Sequence, residues 1–432
     1  MSYTIRDLIN NNKDENIAIT SDNNNVIKYS DLKKFIFDIS GQLASQGITP
    51  SNRAAIVLPN GPEMATAFLS ISSYMSAAPL NPSYKLKEYE FYLQDLMPKI
   101  IIVEKDSHNP AVEAAKNLGI EICEIKKIDN APAGIFNLYD ETSNFELATE
   151  NNEALVLHTS GTTSRPKVVP LTNKNIFSSA INISNSLQLS SQDHCYNIMP
   201  LFHIHGLIAV LSSSINAGAS VYASSGFNAL KFLETANKET ITWYSGVPTM
   251  HQAILMRAKK NPKLAEELNL RFIRSSSASL PPAVFDELKK IFKTTVIEAY
   301  GMTEATHQMT SNPLPPEKQK AGFVGKPAGP EVCIMDSQGN KLNTGEDGEV
   351  CIRGDNVTNG YENNEEANKT AFINGWFRTG DQGHFDNEGY LKISGRLKEI
   401  INRGGEKVSP LEVDNILMEH EAVEQVVTFA VK

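Results

Sequence analysis

His158-Thr159-Ser160-Gly161-Thr162-Thr163-Ser164-Arg165-Pro166-Lys167 stands between two apolar runs, Ala154-Leu155-Val156-Leu157 before it and Val168-Val169-Pro170-Leu171 after it. Short apolar runs closed off by small polar residues are the pattern of buried strands, so the stretch reads as a loop thrown between two of them. Its composition suits a polyphosphate. Small residues let backbone N–H groups approach phosphate oxygens, hydroxyls add donors, and Arg165 and Lys167 neutralise charge. A solvated Ser/Thr-rich turn has the same composition, and the loop alone does not choose between the two. It is not a nucleotide loop of the Walker type, which requires glycine directly before the lysine; Pro166 occupies that place.

The whole chain narrows the classes. At 432 residues, 41% hydrophobic and 21% charged, it exceeds what one core usually supports, and two or three subdomains are expected. The net charge of −10 argues against nucleic acid as a main partner. Cys123, Cys195, Cys333 and Cys351 are far apart, with no C-x-x-C pair, so neither a zinc knuckle nor a redox motif is indicated and a reducing compartment is expected. Met1 to Asn12 lacks the apolar segment of a signal peptide, and no apolar run is long enough to span a bilayer. The expectation is a cytoplasmic protein without membrane contact, or a peroxisomal one if a segment beyond Lys432 carries a targeting signal. Nothing in the sequence signals an oligomeric state.

Read in order, Ser30 serves as N-cap of a helix whose apolar face is Leu32, Phe35, Ile36, Ile39 and Leu43. Asn23-Asn24-Asn25 reads as a turn, Ala54 to Leu58 as a strand, and Pro62 as the start of a helix. A helix through Tyr89 to Leu96 precedes a strand at Ile100 to Val103. Strands alternating with helices imply parallel sheet covered on both faces. Thr172 caps a helix to about Leu187. His203-Ile204-His205 offers a metal pair if both lie on a strand, where the rings face one side; pocket-lining or core histidines are the other readings. Thr242 to Thr249 reads as a strand ending in a turn. Arg271 to Arg274 is a strand running into the serine loop Ser275 to Pro282, with a helix from about Ala283 to Phe292 and a strand from Thr295 to Ala299. In an open parallel sheet ligands collect beyond the carboxyl ends of strands, where the serine loop and Tyr300-Gly301-Met302-Thr303-Glu304 are expected. From about residue 322, short strands at Val332 to Met335, Gly348 to Arg353 and Tyr390 to Ile393, separated by turn clusters, indicate a small antiparallel, barrel-like subdomain. Ser409-Pro410-Leu411-Glu412 is a capping box that opens a new helix.

Taken together, HTSGTTSRPKVV from residue 158, PLFHIHG from 200, YGMTE from 300, WFRTGD from 376 and GRLKEIINRGGEKVSP from 395 resemble, in order and spacing, the adenylate-forming enzymes, which include acyl-CoA synthetases, luciferases and peptide-synthetase adenylation domains. The resemblance implies an α/β fold with a large N-terminal domain, residues 1–397, of mixed and parallel sheets covered by helices. A β-barrel-like subdomain would occupy about 322–397, and a small α+β C-terminal domain would begin at 398. Roughly a hundred residues of that small domain, including the adenylation lysine, would lie beyond Lys432. On that basis the sequence is expected to be truncated, and to bind ATP or AMP with little turnover.

Site roles carry over by motif. Thr159, Ser160, Gly161, Thr162, Thr163 and Lys167 would cradle the β- and γ-phosphates of ATP. Glu298 and Ala299 would contact the adenine edge, and Tyr300 would stack on it. Thr303 would bind the α-phosphate and Glu304 would hold Mg²⁺. Asp381 would accept the ribose hydroxyls, Arg396 would contact ribose or phosphate, and Lys398 would be the hinge about which the small domain rotates. Gly404-Gly405 would face the CoA tunnel. IRSSSASL from 273, EAYGMTEATHQMTSNPLPP from 298 and IRGDNVTNGY from 352 closely resemble oxalate–CoA ligases. By that match Ser277 and His307, with His203 or His205, would hold the distal carboxylate of a small acid. His203 would also serve catalysis. Polarity agrees, since buried donors facing a hydrocarbon tail would be left unpaired at roughly 1–3 kcal/mol each. The implied activity is ATP-dependent ligation of a small carboxylic acid, oxalate first, to CoA as co-substrate. The alternatives are an adenylating ligase for another acid or a carrier protein, and an inactive nucleotide-binding fragment.

Overall fold

A computed structural model describes all residues except Met1, Ser2, Asn23, Asn24, Ser160 to Ser164, Gly404, Gly405, Glu419, Glu421, Glu424, Gln425 and Lys432, and omits the side chains of Asn402, Arg403, Glu406 and Lys407. The expected turn at Asn23-Asn24, the phosphate-loop residues Ser160, Gly161, Thr162 and Thr163, and Gly404-Gly405 therefore lie outside the described residues. Two compact units are distinguished. One comprises Met1–Asn228, Thr303–His307 and Thr358–Asn364; the other comprises Ala229–Met302, Gln308–Val357 and Glu365–Lys432.

In the first unit a six-stranded sheet runs in the order Val168–Thr172, Glu153–His158, Ser76–Pro79, Arg53–Val57, Ile100–Val103, Glu121–Glu124. All neighbours are parallel except the first pair. Ile100–Val103 is buried at every position, as expected of a strand covered on both faces. Tyr89, Leu93 and Leu96 of helix Leu86–Leu96 and Ala111, Ala114 and Ala115 of helix Pro110–Leu118 share one core with Ala55, Val57, Ile101 and Val103. Helix Pro62–Ser72 starts at its proline and is buried from Met64 to Ser72. The unit also holds the parallel strands His194–Asn197, Ser220–Ala223 and Ile17–Thr20, with Val26–Lys28 antiparallel to the last.

Ser30 is not an N-cap. Strand Val26–Lys28 passes straight into helix Tyr29–Ser45, whose first N–H groups, on Tyr29 and Ser30, donate to the carbonyls of Asn16 and Asp14. A tertiary contact thus meets the donors that a capping hydroxyl would have served. Thr172 does cap helix Asn173–Ser186, in a reciprocal pair with Asn175. The apolar run after His205 is a π-helix, His205–Ser212, so the His203/His205 pair is not on a strand and the geometric condition for a metal pair is not met. Gly206 lies so close to Pro200 that a Cβ would sit 2.4 Å from its carbonyl oxygen, which fixes glycine at that position.

In the second unit Trp243–Gly246, Phe272–Ser275 and Thr295–Met302 pair in parallel. The segment read as a strand ending in a turn continues as helix Pro248–Lys260. Strand Thr295–Met302 extends three residues past the expected end, so Tyr300 is a strand residue, and only Thr303–Ala305 forms a turn of 3-10 helix. The small antiparallel subdomain is present as an open sheet. Glu331–Met335 pairs with Gly348–Arg353 and that strand with the ten-residue Trp376–Phe385, whose other edge takes Phe372–Ile373 and Leu391–Arg396. Beyond it, Ile401–Arg403 and Glu406–Val408 form a hairpin, and Ser409 caps helix Pro410–Leu417 by accepting from the Glu412 N–H at 3.2 Å. Among the described residues no helix is long and apolar enough to cross a membrane.

Arg53 ties the first unit together. Its Nε and Nη2 donate to Glu153 at 2.6 and 2.7 Å, Nη1 donates to Glu362 at 3.2 Å and to the Leu96 carbonyl at 3.2 Å, and Nη2 also reaches the other Glu362 oxygen. Burial draws the guanidinium pKa down, but the hydrogen bonds to Glu153 and Glu362 outweigh it and raise the pKa above the ordinary value. Arg53→Ala strands two partly buried carboxylates and is expected to cost about 2–3 kcal/mol, somewhat below the loss from a fully buried pair. The check is the urea midpoint; an unchanged midpoint would show the clasp to be dispensable.

Candidate functional site

The Ser/Thr-rich loop is the tip of an antiparallel hairpin, with His158 opposite Val168. Its base is latched: the Thr159 N–H donates to the Lys167 carbonyl at 2.9 Å, and the Lys167 N–H donates to the Thr159 hydroxyl at 3.1 Å. Arg165 pairs with Asp95 and lies over the Phe91 ring at 5.1 Å. Asp95 is also 3.5 Å from His158 Nε2. Burial holds His158 below the ordinary imidazole range despite that carboxylate.

In the same unit, Thr358 to Glu362 runs beside strand Val168–Thr172 of the hairpin. The Thr358 N–H donates to the Glu304 carbonyl at 2.8 Å, the Thr358 hydroxyl to the Pro170 carbonyl at 2.9 Å, and the Glu362 N–H to the Val168 carbonyl at 3.0 Å. Gly360, at φ +140°, takes a backbone conformation that disfavours any side chain. Tyr361 follows it. Its hydroxyl donates to Glu304 Oε1 at 2.8 Å, and Lys167 Nζ lies 4.2 Å from its ring centroid. Lys167 and Glu304, assigned separately by motif, are thereby brought together. Tyr361 was given no role in the sequence, although it closes the stretch IRGDNVTNGY.

The three histidines share this unit too. The His205 N–H donates to His203 Nδ1 at 3.2 Å, so that ring nitrogen carries no proton, and burial lowers the His203 pKa. His205 and His307 are buried, with ring centroids 4.9 Å apart. Thr306 and His307 have φ of +48° and +89°, and the Ser179 hydroxyl holds the Thr306 carbonyl at 2.5 Å. Such backbone strain, of order 1–3 kcal/mol per residue, persists only where the surroundings impose it. His203, Thr303, His158, Tyr84, Tyr92 and Phe202 line a cleft of about 70 Å³. Since a water occupies about 30 Å³ of liquid, that space suits an acid of a few heavy atoms.

The second unit holds the other assigned residues. Asp381 and Arg396 are register partners on adjacent strands, with Arg396 Nε 3.4 Å from Asp381 Oδ1, and the Tyr300 hydroxyl donates to Asp381 Oδ2. Burial raises the Asp381 pKa against the opposing effects of Tyr300 and Arg396. The strand around Asp381 is pinned from its neighbour. Glu349 accepts the Gly380 N–H at 3.0 Å and Arg378 Nε at 2.7 Å, and the Thr379 hydroxyl donates to the Val350 carbonyl. Glu298 is 1% exposed. Its Oε1 accepts the Leu280 N–H at 2.9 Å, while Oε2 has no partner among the described residues. The Ser276 hydroxyl donates to the Ala299 carbonyl, so Glu298 and Ala299 together position the serine loop. Ser277 is exposed on that loop at φ +71°. Lys398 is exposed in the turn after strand Leu391–Arg396. Among the described residues no group of three or more His, Cys, Asp or Glu side chains could hold a metal ion.

Residues 7–362 match the family described as AMP-binding enzyme. The chain is 47% identical over 398 residues to an oxalate–CoA ligase of Arabidopsis thaliana, an alignment covering 90% of this chain and 77% of that one. The ATP-bound crystal structure of MatB from Rhodopseudomonas palustris superposes with a TM-score of 0.89 at 26% identity, covering 99% of this chain and 86% of the other. The o-succinylbenzoate coenzyme A synthetase of Bacillus subtilis in complex with ATP and magnesium superposes at 0.84 with 27% identity, covering 98% and 85%.

Burial without a partner for Oε2 pushes the Glu298 carboxyl up to about 8. A folded-state pKa above the unfolded value contributes stability at low pH that is lost as pH rises through the folded pKa. Glu298→Gln, neutral at every pH, should therefore match the parent below about pH 4.5 and gain on it steadily up to about pH 8, with no further change above. Thermal melts of both proteins across that window test this; parallel melting curves would place the Glu298 pKa near its ordinary value.

Proposed function

Because the chain belongs to the AMP-binding enzyme family, we propose that it is an acid–CoA ligase that activates a small dicarboxylate, oxalate, with ATP and transfers it to CoA. The observation that carries the choice of acid is the buried His205–His307 pair, in the unit whose cleft is lined by His203 and Thr303. Polar side chains at such a small cleft suit a short dianion better than a long acyl chain, whose burial favours an apolar wall. The identity to the Arabidopsis thaliana oxalate–CoA ligase supports the same choice, with Ser277 as a further contact.

In the first half-reaction a substrate carboxylate oxygen bonds to the α-phosphorus of ATP and the bond to the departing pyrophosphate breaks. In the second, the CoA thiolate bonds to the acyl carbon and AMP leaves. Two anions must meet in the first step, so the protein's task is positioning and charge neutralisation. Thr159 and Lys167, with Ser160 to Thr163, take the β- and γ-phosphates, and Thr303 takes the α-phosphate. Tyr300 stacks on adenine beside Glu298 and Ala299. Asp381, partly desolvated, accepts the ribose hydroxyls in place of Tyr300, and Arg396 steadies it. Glu304 holds Mg²⁺. One carboxylate with neighbouring hydroxyls would suit a hard cation, which when bound would supply neutralisation of phosphate charge. Lys398 opens the small domain and acts as its pivot, a role supported by its exposure in a turn between strands.

The reading is tested by carboxylate-dependent ATP–pyrophosphate exchange and by thioester formation with free CoA across a panel of acids. Oxalate should be the best substrate; best activity with long-chain acids and none with oxalate would refute the assignment. Lys167→Ala should weaken ATP use about ten- to a hundredfold for every acid alike, the loss of one charged hydrogen-bond donor. His307→Ala should instead change the ranking of acids, and the reverse pattern would overturn this division.

A further inference from the structure

We propose that Tyr361 is a positioning residue for the metal and polyphosphate, orienting the Glu304 carboxylate through its hydroxyl and seating the Lys167 ammonium on its ring. This rests on the reading of Glu304 as the metal carboxylate and Lys167 as the phosphate cation. Tyr361 touches neither substrate nor metal in this role; it acts through the two groups that do.

The geometry is over-determined. Tyr361 and Glu304 are 7% and 6% exposed, and the hydroxyl meets Oε1 at 2.8 Å while Lys167 Nζ lies 4.2 Å from the ring centroid. The segment that carries Tyr361 is fixed on both sides. Thr358 bonds to the Glu304 and Pro170 carbonyls before it, and Glu362 bonds to the Val168 carbonyl and the Arg53 guanidinium after it. The same residue that presents the carboxylate, Glu304, thus also anchors the segment from which its orienting hydroxyl comes. An ionised carboxylate has about four acceptor positions, so a hydroxyl on Oε1 restrains how the group turns without displacing a hard cation. Outer-shell donors of this kind hold a ligand's orientation, and removing one typically weakens metal binding about 10- to 100-fold. On the other face of the arrangement, the ring holds the ammonium by a cation–π contact, so Lys167 is already placed when phosphate arrives.

Tyr361→Phe separates the two functions, since it keeps the ring and removes the hydroxyl. The measurements are Mn²⁺ binding to the ATP-bound protein by electron paramagnetic resonance, and calorimetric ATP binding in metal-free buffer. Tyr361→Phe should weaken Mn²⁺ about tenfold and leave metal-free ATP binding unchanged, while Tyr361→Leu should weaken both. Glu304→Gln is the control for the underlying reading. Normal Mn²⁺ binding by Tyr361→Phe with impaired binding by Glu304→Gln would overturn the role of Tyr361 alone, as would a lowered melting temperature with metal affinity intact. Normal binding by both variants would overturn the assignment of Glu304 and the inference with it.

Discussion

Three stretches of the first unit that are remote in sequence meet on one guanidinium. Arg53 begins a central strand, Glu153 begins the strand that enters the hairpin, and Glu362 ends the segment beside the returning strand of that hairpin. A planar fork with five donors can satisfy two carboxylates and a carbonyl at once, which an ammonium cannot do with the same geometry. Because the clasp fixes Glu362, it fixes the neighbouring Tyr361, and through Tyr361 the carboxylate of Glu304. The placement of the candidate phosphate and metal groups therefore begins at a residue on the sheet below them.

Elements with a local cause were legible in the sequence. Pro62 opens its helix because proline is preorganised for the first turn, Thr172 closes a capping pair with Asn175, and the all-apolar run Ile100–Val103 could only be a buried strand or a piece of helix too short to stand alone. Elements decided by distant chain were misread. Ser30 had the chemistry of a cap, but the carbonyls of Asp14 and Asn16 reached the helix start first. The run after His205 was assigned no element, because it is apolar on all sides and periodicity does not distinguish a strand from the π-helix it forms.

The candidate site divides in the same way. Hydroxyls, glycine and lysine at the hairpin tip advertise their chemistry by composition, and the ordered motifs pointed to Asp381, Tyr300 and Glu304. Glu349 has no such advertisement, and Tyr361 lies at the end of a motif that assigned it no role; their roles exist only once strands are paired and turns are placed. Glu298 is the sharper case. A carboxylate in an apolar strand resembles an edge-of-site residue, and only its burial, which outweighs the opposing hydrogen bond from the Leu280 N–H, pushes its pKa up to about 8 and makes it a neutral brace for the serine loop at neutral pH.

The latch between Thr159 and Lys167 has an evolutionary consequence. Because two hydrogen bonds close the base of the hairpin, the register of the strands beneath is set before the tip begins. Arg165, which pairs with Asp95 and lies over Phe91, still ties the loop to the helix beneath, so selection on the loop for its ligand is felt by the scaffold through that residue.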